Sequence, residues 1–171
     1  DLFMYYLQGG LVDAALLGGA QIDRFGNLNT TIIGEYGRPK VRLPGSGGAC
    51  EIAINARKTI MIMRLKSRAF VNALDFKTSP GHLGGKQSRM DLKLPGDGPA
   101  LVITDRAIFN FNNPQREMML IEIAPGETVD KIREVVGWPL LVSSNLQEVS
   151  PPRSEELEII RHELDPSGLY R

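Results

Sequence analysis

Residues 43–53 read Leu43-Pro44-Gly45-Ser46-Gly47-Gly48-Ala49-Cys50-Glu51-Ile52-Ala53. This stretch follows a strand-like run, Pro39 to Leu43, and precedes an apolar segment that favours a helix. Glycine permits close backbone approach, and the first turn of a helix has unpaired N–H donors. The junction therefore suits negative charge, either that of a phosphate or that of an oxyanion developing on a thioester carbonyl. The alternative is a tight turn without a ligand.

Two common glycine-rich motifs can be compared with this residue sequence. A phosphate-binding P-loop has Lys followed by Ser or Thr after its last glycine, whereas Ala49 and Cys50 follow Gly48. A dinucleotide fingerprint has a third glycine and an acidic residue about 20 positions later, but no Asp or Glu occurs between Ile52 and Leu74. The first motif is excluded and the second is weakly supported.

Composition is typical of one globular domain spanning residues 1–171, with 42% hydrophobic and 23% charged residues. The first residue is Asp1 rather than Met and no secretory signal follows, so we expect an amino-terminal portion to be missing. No uncharged apolar run reaches membrane-spanning length, and a single cysteine cannot form an internal disulfide. These features predict a cytoplasmic protein.

The zero net charge hides an asymmetry between the two halves of the chain. Residues 1–90 carry 12 Lys and Arg against 6 Asp and Glu, and residues 91–171 carry 8 against 14. The halves therefore have formal charges of +6 and −6. If either half faces an anion, we expect it to be the first, although solvated faces explain most charge runs.

The amino-terminal half predicts two strands joined by a turn. Leu11–Ile22 is mostly apolar and predicts a buried strand, the turn covers residues 23–27, and Leu28–Ile33 predicts the next strand. Gln21, Asn27 and Asn29 place amides at strand ends, where polar groups line sites in open α/β sheets. They are candidate substrate-binding residues, and the alternative is that the asparagines only cap the turn.

Lysine and arginine residues recur in the segments on both sides of the glycine junction. Arg38, Lys40 and Arg42 alternate with apolar residues, so a strand would place all three on one face, either drawing in an anionic substrate or forming a solvated edge. After a short helix around Ile52–Ala56 and a buried strand, Thr59–Met63, comes a basic loop that contains Arg64, Lys66 and Arg68. His82 lies in a glycine-rich loop without a cluster of metal ligands, so no metal is expected.

The second half predicts a β-layer followed by two helices. Leu101–Thr104 and a hairpin of Ile108–Phe111 with Met118–Ile123 form the layer. A helix begins after Thr128 as N-cap and is stopped by Gly137, and Leu140–Val142 forms a last short strand. A closing helix capped by Ser154 has an apolar stripe of Leu157, Ile160 and Leu164.

Several motifs together resemble a known family. They are Gly18-Gly19-Ala20-Gln21-Ile22-Asp23, Gly26-Asn27-Leu28-Asn29-Thr30-Thr31, Pro39 to Ala49, Phe76-Lys77-Thr78-Ser79-Pro80-Gly81, Val102-Ile103-Thr104-Asp105, and the closing residues Glu155 to Pro166. In these motifs the chain closely resembles the beta subunit of family I CoA-transferases, the glutaconate CoA-transferases most of all. The resemblance covers almost the whole chain and corresponds to the carboxyl-terminal two-thirds of that subunit.

The resemblance implies a fold, a partner and a reaction. The fold is α/β, an open and mostly parallel sheet flanked by helices, known as the CoA-transferase (NagB/RpiA-like) fold; alternating strands and helices favour the same class. In the family, a beta-subunit glutamate attacks an acyl-CoA and forms an anhydride and then a glutamyl-CoA thioester, from which CoA moves to an acceptor acid. The implied partners are an alpha subunit, in an αβ heterodimer or higher oligomer, and the acyl-CoA and carboxylic acid substrates, with coenzyme A as substrate. No metal, nucleic-acid or membrane partner is implied.

The resemblance also assigns site residues. The family's Gly-Gly-Ala loop lies at the active site, so Gly47 and Gly48 are the predicted catalytic residues through their backbone. The predicted substrate-binding and CoA-binding residues are Gln21, Asn27, Asn29, Arg42, Ser46 and Ala49. The family's catalytic turn, Glu-Ser-Gly or Ser-Glu-Asn-Gly, does not occur in this sequence, so the nucleophilic glutamate lies in the missing portion or is absent. Glu51 and Cys50 are weaker candidates, because a helix dipole and simple packing explain them.

Three classes of function stay open from sequence alone. The favoured one is a transferase subunit that moves CoA between carboxylic acids. The second is a relative repurposed as an acyl-CoA hydrolase, a C–C bond hydrolase or a decarboxylase, and the third is a noncatalytic partner subunit. The cations of residues 38–42 would suit a dicarboxylate acceptor.

Overall fold

Strands and short helices alternate along residues 2–169, the part of the chain that the computed structural model describes; Asp1, Tyr170 and Arg171 lie outside it. The strands are β1 (Ala14–Leu17), β2 (Gln21–Ile22), β3 (Leu28–Asn29), β4 (Ile32–Glu35), β5 (Arg38–Arg42), β6 (Lys58–Ile62), β7 (Pro99–Ile103), β8 (Ala107–Asn110), β9 (Met119–Ile123) and β10 (Leu141–Glu148). The α-helices are α1 (Ala49–Asn55), α2 (Ser88–Asp91), α3 (Val129–Arg133) and α4 (Ser154–Glu158). Leu2–Leu7 and Ile159–Leu164 are π-helical.

One six-stranded sheet carries the architecture, in the order β1-β6-β7-β8-β9-β10. The pairs β1–β6, β6–β7 and β9–β10 are parallel, whereas β7–β8 and β8–β9 are antiparallel. This arrangement confirms the predicted open, mostly parallel α/β sheet, and the β8–β9 pairing confirms the predicted hairpin. Two small antiparallel ribbons, β2–β3 and β4–β5, lie outside the sheet.

Aromatic side chains form the centre of the core. Phe70 lies 5.9 Å from Phe109 and 6.3 Å from Trp138 between ring centroids, and all three are buried. The predicted inner-face residue Ile132 of α3 is also fully buried, and the Thr128 hydroxyl accepts a hydrogen bond from the N–H of Lys131, which confirms the predicted N-cap. The core therefore joins the sheet to the segments that lead to and from α3.

Two strand predictions in the first half were too long. Leu11–Ile22 is divided into β1 and β2 at Gly18-Gly19, and Leu28–Ile33 is divided between β3 and β4. The expectation that the first segment is buried was wrong for β1, because β1 pairs only with β6 at the edge of the sheet and Leu16 is 65% exposed. Apolar composition alone does not distinguish such an edge from an interior strand.

The carboxyl-terminal predictions also need correction. Helix α3 ends at Arg133, before the predicted stop. The N–H of Val136 still donates to the carbonyl of Ile132, and only the N–H of Gly137 turns away, to the carbonyl of Phe70. Strand β10 runs to Glu148 rather than Val142. Ser154 is the first residue of α4, and Arg153 is its N-cap. The expected apolar stripe of the closing helix is exposed to solvent rather than packed, with Ile160 46% and Leu164 73% exposed.

Arg89 connects three segments that are distant in sequence. Its Nε donates to the carbonyl of Gly96, Nη1 to that of Gly81, and Nη2 to those of Ala53 and Ile54, at 2.8–3.2 Å. The residue is only 7% exposed, and burial lowers the pKa of its guanidinium. Because the last carbonyls of a helix lack intrahelical donors, Arg89 satisfies the carboxyl end of α1.

His82 holds the same region against the sheet. Its Nε2 lies 2.9 Å from the carbonyl oxygen of Pro99, the first residue of β7, and its ring lies 5.0 Å from that of Phe111. A carbonyl can only accept, so Nε2 carries the proton and Nδ1 is an acceptor. Burial lowers the pKa of His82 to about 4, outweighing the hydrogen bond to Pro99, so the imidazole is neutral at pH 7.

We expect Arg89→Met to lower the free energy of unfolding by about 3 kcal/mol, because it leaves several buried carbonyls without donors. Arg89→Lys keeps the positive charge but not the planar guanidinium with its five donors, so it should lower the free energy of unfolding by an intermediate amount. Chemical denaturation measures both. Arg133→Met, which breaks only an exposed ion pair with Asp130, is the control and should cost less than about 0.5 kcal/mol. Equal losses in Arg89→Met and the control would contradict this account of Arg89.

Protonation of His82 should destabilise the fold in acid. The unfolded chain binds a proton at this histidine below about pH 6.5, whereas the folded chain binds it only near pH 4. Stability from this group is therefore complete above pH 6.5 and falls by up to about 3 kcal/mol as the pH drops to 4. Denaturation curves across this range should show a shallower pH dependence in His82→Gln than in the wild-type protein, and an unchanged slope would contradict this account.

Candidate active site

Hydrogen bonds to β-ribbon residues fix the start of the glycine junction. The N–H of Gly45 donates to the carbonyl of Thr30 at 2.9 Å, and the Thr30 hydroxyl donates to the carbonyl of Gly45 at 2.8 Å. The N–H of Thr30 in turn donates to the Thr78 hydroxyl at 2.9 Å. Sequence reasoning missed Thr30 and Thr78 as supports of the junction, although both lie in motifs that carry the family resemblance.

Beyond Gly45 the junction presents free donors. Within residues 2–169, the N–H groups of Gly47, Gly48 and Cys50 make no hydrogen bond, whereas the N–H of Ala49 donates to the carbonyl of Ser46 at 2.8 Å. Gly47 is exposed and has φ +48°, a conformation that costs side-chain-bearing residues about 1–2 kcal/mol. The N–H groups of the two predicted catalytic glycines therefore lack acceptors here, whereas the N–H of Ala49 has one, and the catalytic role of the glycines stays a prediction.

Polar side chains beside these donors suit supporting roles. The Glu51 carboxylate accepts hydrogen bonds from Asn55 at 3.1 Å and Gln8 at 3.4 Å. Burial, and then the charge of Glu51, raise the pKa of the Cys50 thiol. A raised pKa reduces the thiolate fraction, so Cys50 is a poor nucleophile. Ser46 is exposed at the loop tip.

Gln21 and Asn29 belong to a buried amide network. Asn29 Nδ2 donates to Gln21 Oε1 at 2.7 Å and to the carbonyl of Ile32 at 2.6 Å. Gln21 Nε2 donates to the Asp75 carboxylate, which also accepts the N–H of Gly34. The network joins the β2–β3 ribbon to the β4–β5 ribbon, and the predicted contact of Gln21 and Asn29 with substrate stays a prediction.

Asn27 is enclosed by a second set of bonds. Its Nδ2 donates to the Asp23 carboxylate at 2.8 Å and to the carbonyl of Leu83 at 2.9 Å, and its Oδ1 accepts from the N–H groups of Gly81 and Leu83. Burial raises the pKa of Asp23 despite these hydrogen bonds. The bonds support the capping alternative for Asn27, and its predicted contact with substrate also remains untested.

The basic loop lines a cavity at the carboxyl end of β6. The cavity has a volume of about 400 Å³, and its lining includes Arg64, Lys66 and Arg68 together with Val41 of β5. Within the described residues these three cations form no ion pair. We refer to this space as the carboxyl-edge cavity; its free cations suit an anionic ligand.

The cations of β5 lie on an exposed ribbon. Arg38, Lys40 and Arg42 are all exposed, and the Arg42 guanidinium lies 5.4 Å from the centroid of the Tyr36 ring. Arg42 does not line the carboxyl-edge cavity. Its predicted role in binding substrate stays a prediction.

Residues 2–169 contain no group of three or more His, Cys, Asp or Glu side chains placed to hold a metal ion. No helix in this part of the chain is long and apolar enough to cross a membrane.

Comparison with known proteins gives consistent matches. The family described as Coenzyme A transferase matches residues 2–135. The chain is 44% identical to the B subunit of 3-oxoadipate CoA-transferase from Pseudomonas knackmussii, covering 94% of this chain and 62% of that protein. It is 42% identical to the B subunit of glutaconate CoA-transferase from Acidaminococcus fermentans, covering 91% and 58%. It thus spans about three fifths of the length of these relatives.

More distant and structural matches extend this result. The chain is 26% identical to the IpdB subunit of a cholesterol ring-cleaving hydrolase from Mycobacterium tuberculosis, covering 90% of this chain and 61% of that protein. The crystal structure of glutaconate coenzyme A-transferase from A. fermentans superimposes with a TM-score of 0.85 and 40% identity, covering 92% of this chain and 60% of that chain. The resemblance and the expected fold are both confirmed, and the chain belongs to the Coenzyme A transferase family.

Proposed function

We propose that these residues form part of the beta subunit of a CoA-transferase that moves CoA between an acyl-CoA and a mono- or dicarboxylic acid. The observation that carries the proposal is the identity of 44% and 42% to the B subunits of two CoA-transferases over more than nine tenths of this chain. Since each of those relatives is one of two unlike subunits, the proposal includes an alpha subunit as partner, in an αβ heterodimer or a higher oligomer. Coenzyme A takes part as a substrate, and the location is cytoplasmic.

In this proposal the glycine junction stabilises the oxyanion of each tetrahedral intermediate. Gly47 and Gly48 offer N–H groups without acceptors on a loop that Thr30 holds. Donors that are fixed before the reaction stabilise developing charge without reorganisation. The family's catalytic glutamate turn does not occur in these 171 residues, so the proposal requires a glutamate from another part of the protein. Glu51 already accepts amide hydrogen bonds from Gln8 and Asn55.

The same proposal assigns ligand binding to surfaces next to the junction. Ser46 and Ala49 contact the substrate through the loop, and Arg42 attracts the second carboxylate of a dicarboxylic acid. Gln21, Asn27 and Asn29 act mainly by shaping the ribbons that carry the loop. The proposal treats residues 1–171 as part of one domain, and the buried cluster that extends from Ile22 to Leu140 supports it.

A second candidate is hydrolysis of an acyl-CoA or of a C–C bond in it. The relative with 26% identity, which is named as a ring-cleaving hydrolase subunit, favours this alternative. A transferase forms a new acyl-CoA from the added acid, whereas a hydrolase releases free CoA or a shortened acyl-CoA. Product analysis therefore distinguishes the two candidates.

Product analysis of the full-length protein, co-purified with its partner subunit, is the decisive experiment. The complex is incubated with acyl-CoA donors and a panel of mono- and dicarboxylic acids, and chromatography separates new acyl-CoA from free CoA. We expect a new acyl-CoA that matches the added acid. Free CoA or a shortened acyl-CoA without exchange would instead support hydrolysis or decarboxylation, and no turnover would support a noncatalytic subunit.

Replacing Gly47 with Ala should lower kcat about 100-fold, because the left-handed backbone must shift and carries the donors with it. Gly126→Ala is a matched control, since Gly126 has φ +80° and, like Gly47, open space where a Cβ would be. Both variants should lose about 1 kcal/mol of stability.

Steady-state kinetics and chemical denaturation measured on both variants separate catalysis from folding. A similar loss of kcat in Gly126→Ala, or normal kcat in Gly47→Ala, would contradict the role of the junction.

A further inference from the structure

A second basic cavity lies at the opposite edge of the sheet from the glycine junction. Lys58 begins β6 and Pro99 begins the parallel strand β7, so both lie at the amino edge. The cavity there has a volume of about 480 Å³, and its lining includes Lys58, Lys86, Arg89, Arg116 and His82. We call it the amino-edge cavity.

The charge of the amino-edge cavity is strongly unbalanced. Four cations line it against one carboxylate, that of Asp97. Within residues 2–169, Lys58, Lys86 and Arg116 form no ion pair. An excess of positive charge around one cavity is repulsive, and it attracts an anion that can contact several of the cations.

Two buried polar side chains form part of the lining. Arg89 is 7% and His82 is 4% exposed. Four of the five N–H groups of Arg89 donate to carbonyls, and the remaining N–H, on Nη1, makes no hydrogen bond within the described residues. Nδ1 of His82 is likewise unpartnered there and is an acceptor, since Nε2 carries the proton.

The backbone holds two of the cations in costly conformations. Lys86 has φ +50° and Arg116 has φ +53°, and the N–H of Lys86 donates to the carbonyl of Gln115, beside Arg116. Non-glycine residues at such angles are uncommon, and they concentrate at functional sites. Glycine would fit both positions at lower cost, but it would remove both charges.

From these contacts we infer that the amino-edge cavity binds a small phosphate ester. Several cations from different segments match the oxygens of one phosphate group, and Lys and Arg are its usual partners. The acceptor Nδ1 matches a hydroxyl on the same ligand. The inference does not depend on the proposed CoA-transferase activity.

The position of the cavity separates it from the glycine junction. Arg89 contacts the carbonyls of Ala53 and Ile54 in the last turn of α1, while Gly47 and Gly48 precede its first turn. A helix of seven residues is about 10 Å long, so the two sites occupy opposite ends of one short element. The amino-edge cavity and the glycine junction are therefore distinct places on the chain, about one helix length apart.

Calorimetric titration of the purified full-length complex with inorganic phosphate and with glycerol 3-phosphate, at constant ionic strength, tests the inference. We expect saturable binding at one site per chain. The double variant Lys86→Gly/Arg116→Gly should bind both probes at least tenfold more weakly. Because glycine suits the left-handed angles, this variant should also keep or raise the unfolding temperature.

Two control variants complete the test. Lys93→Gly removes a third basic residue of positive φ, at +52°, outside the cavity and should change binding less than twofold. Arg64→Ala/Lys66→Ala alters the carboxyl-edge cavity and should also change it less than twofold. Absence of saturable binding, unchanged binding in Lys86→Gly/Arg116→Gly, or weakening confined to Arg64→Ala/Lys66→Ala would overturn the inference.

Discussion

The buried guanidinium of Arg89 is the interaction on which the position of α1 depends. A buried charge is costly unless polar groups surround it, and here four carbonyls do so in place of a carboxylate. Helix α1 has only seven residues and no side-chain cap at Gly48, so its own propensity cannot hold it. Arg89 therefore fixes the carboxyl end of α1, and α1 in turn positions the glycine junction at its amino end.

The ribbons fix the junction from the other side. Asn29 and Gln21 join the two ribbons, Thr78 holds Thr30, and Thr30 holds Gly45 through two hydrogen bonds. The free N–H groups of Gly47 and Gly48 thus lie on a short span between two anchored ends. This arrangement suits the proposed stabilisation of an oxyanion, because donors that are held in place before the reaction need not reorganise when charge develops. The buried amides contribute to the site by rigidity, whether or not they touch a ligand.

Sequence predicted the elements whose signal is local. Runs such as Thr59–Met63 and Met118–Ile123 are β-branched or apolar and became interior strands, and Thr128 caps its helix as expected. The sequence does not show which strands pair with one another, so the position of β1 at the edge of the sheet was not predicted. The role of Arg89 was also hidden, because its partners lie 7 to 36 positions away and are backbone carbonyls, which every residue has. The glycine junction was recognisable because its chemistry resides in consecutive residues.

The charge asymmetry of the sequence takes a specific form in the fold. The basic first half does not make one positive face, because Arg64, Lys66 and Arg68 line the carboxyl-edge cavity while Lys58, Lys86 and Arg89 line the amino-edge cavity. Arg89 belongs both to the second cavity and to the end of α1. An anion bound there would reduce the repulsion among its cations and so stabilise the contacts that hold α1. Since linkage is reciprocal, a ligand that tightens the glycine junction through α1 would also strengthen anion binding at the opposite edge.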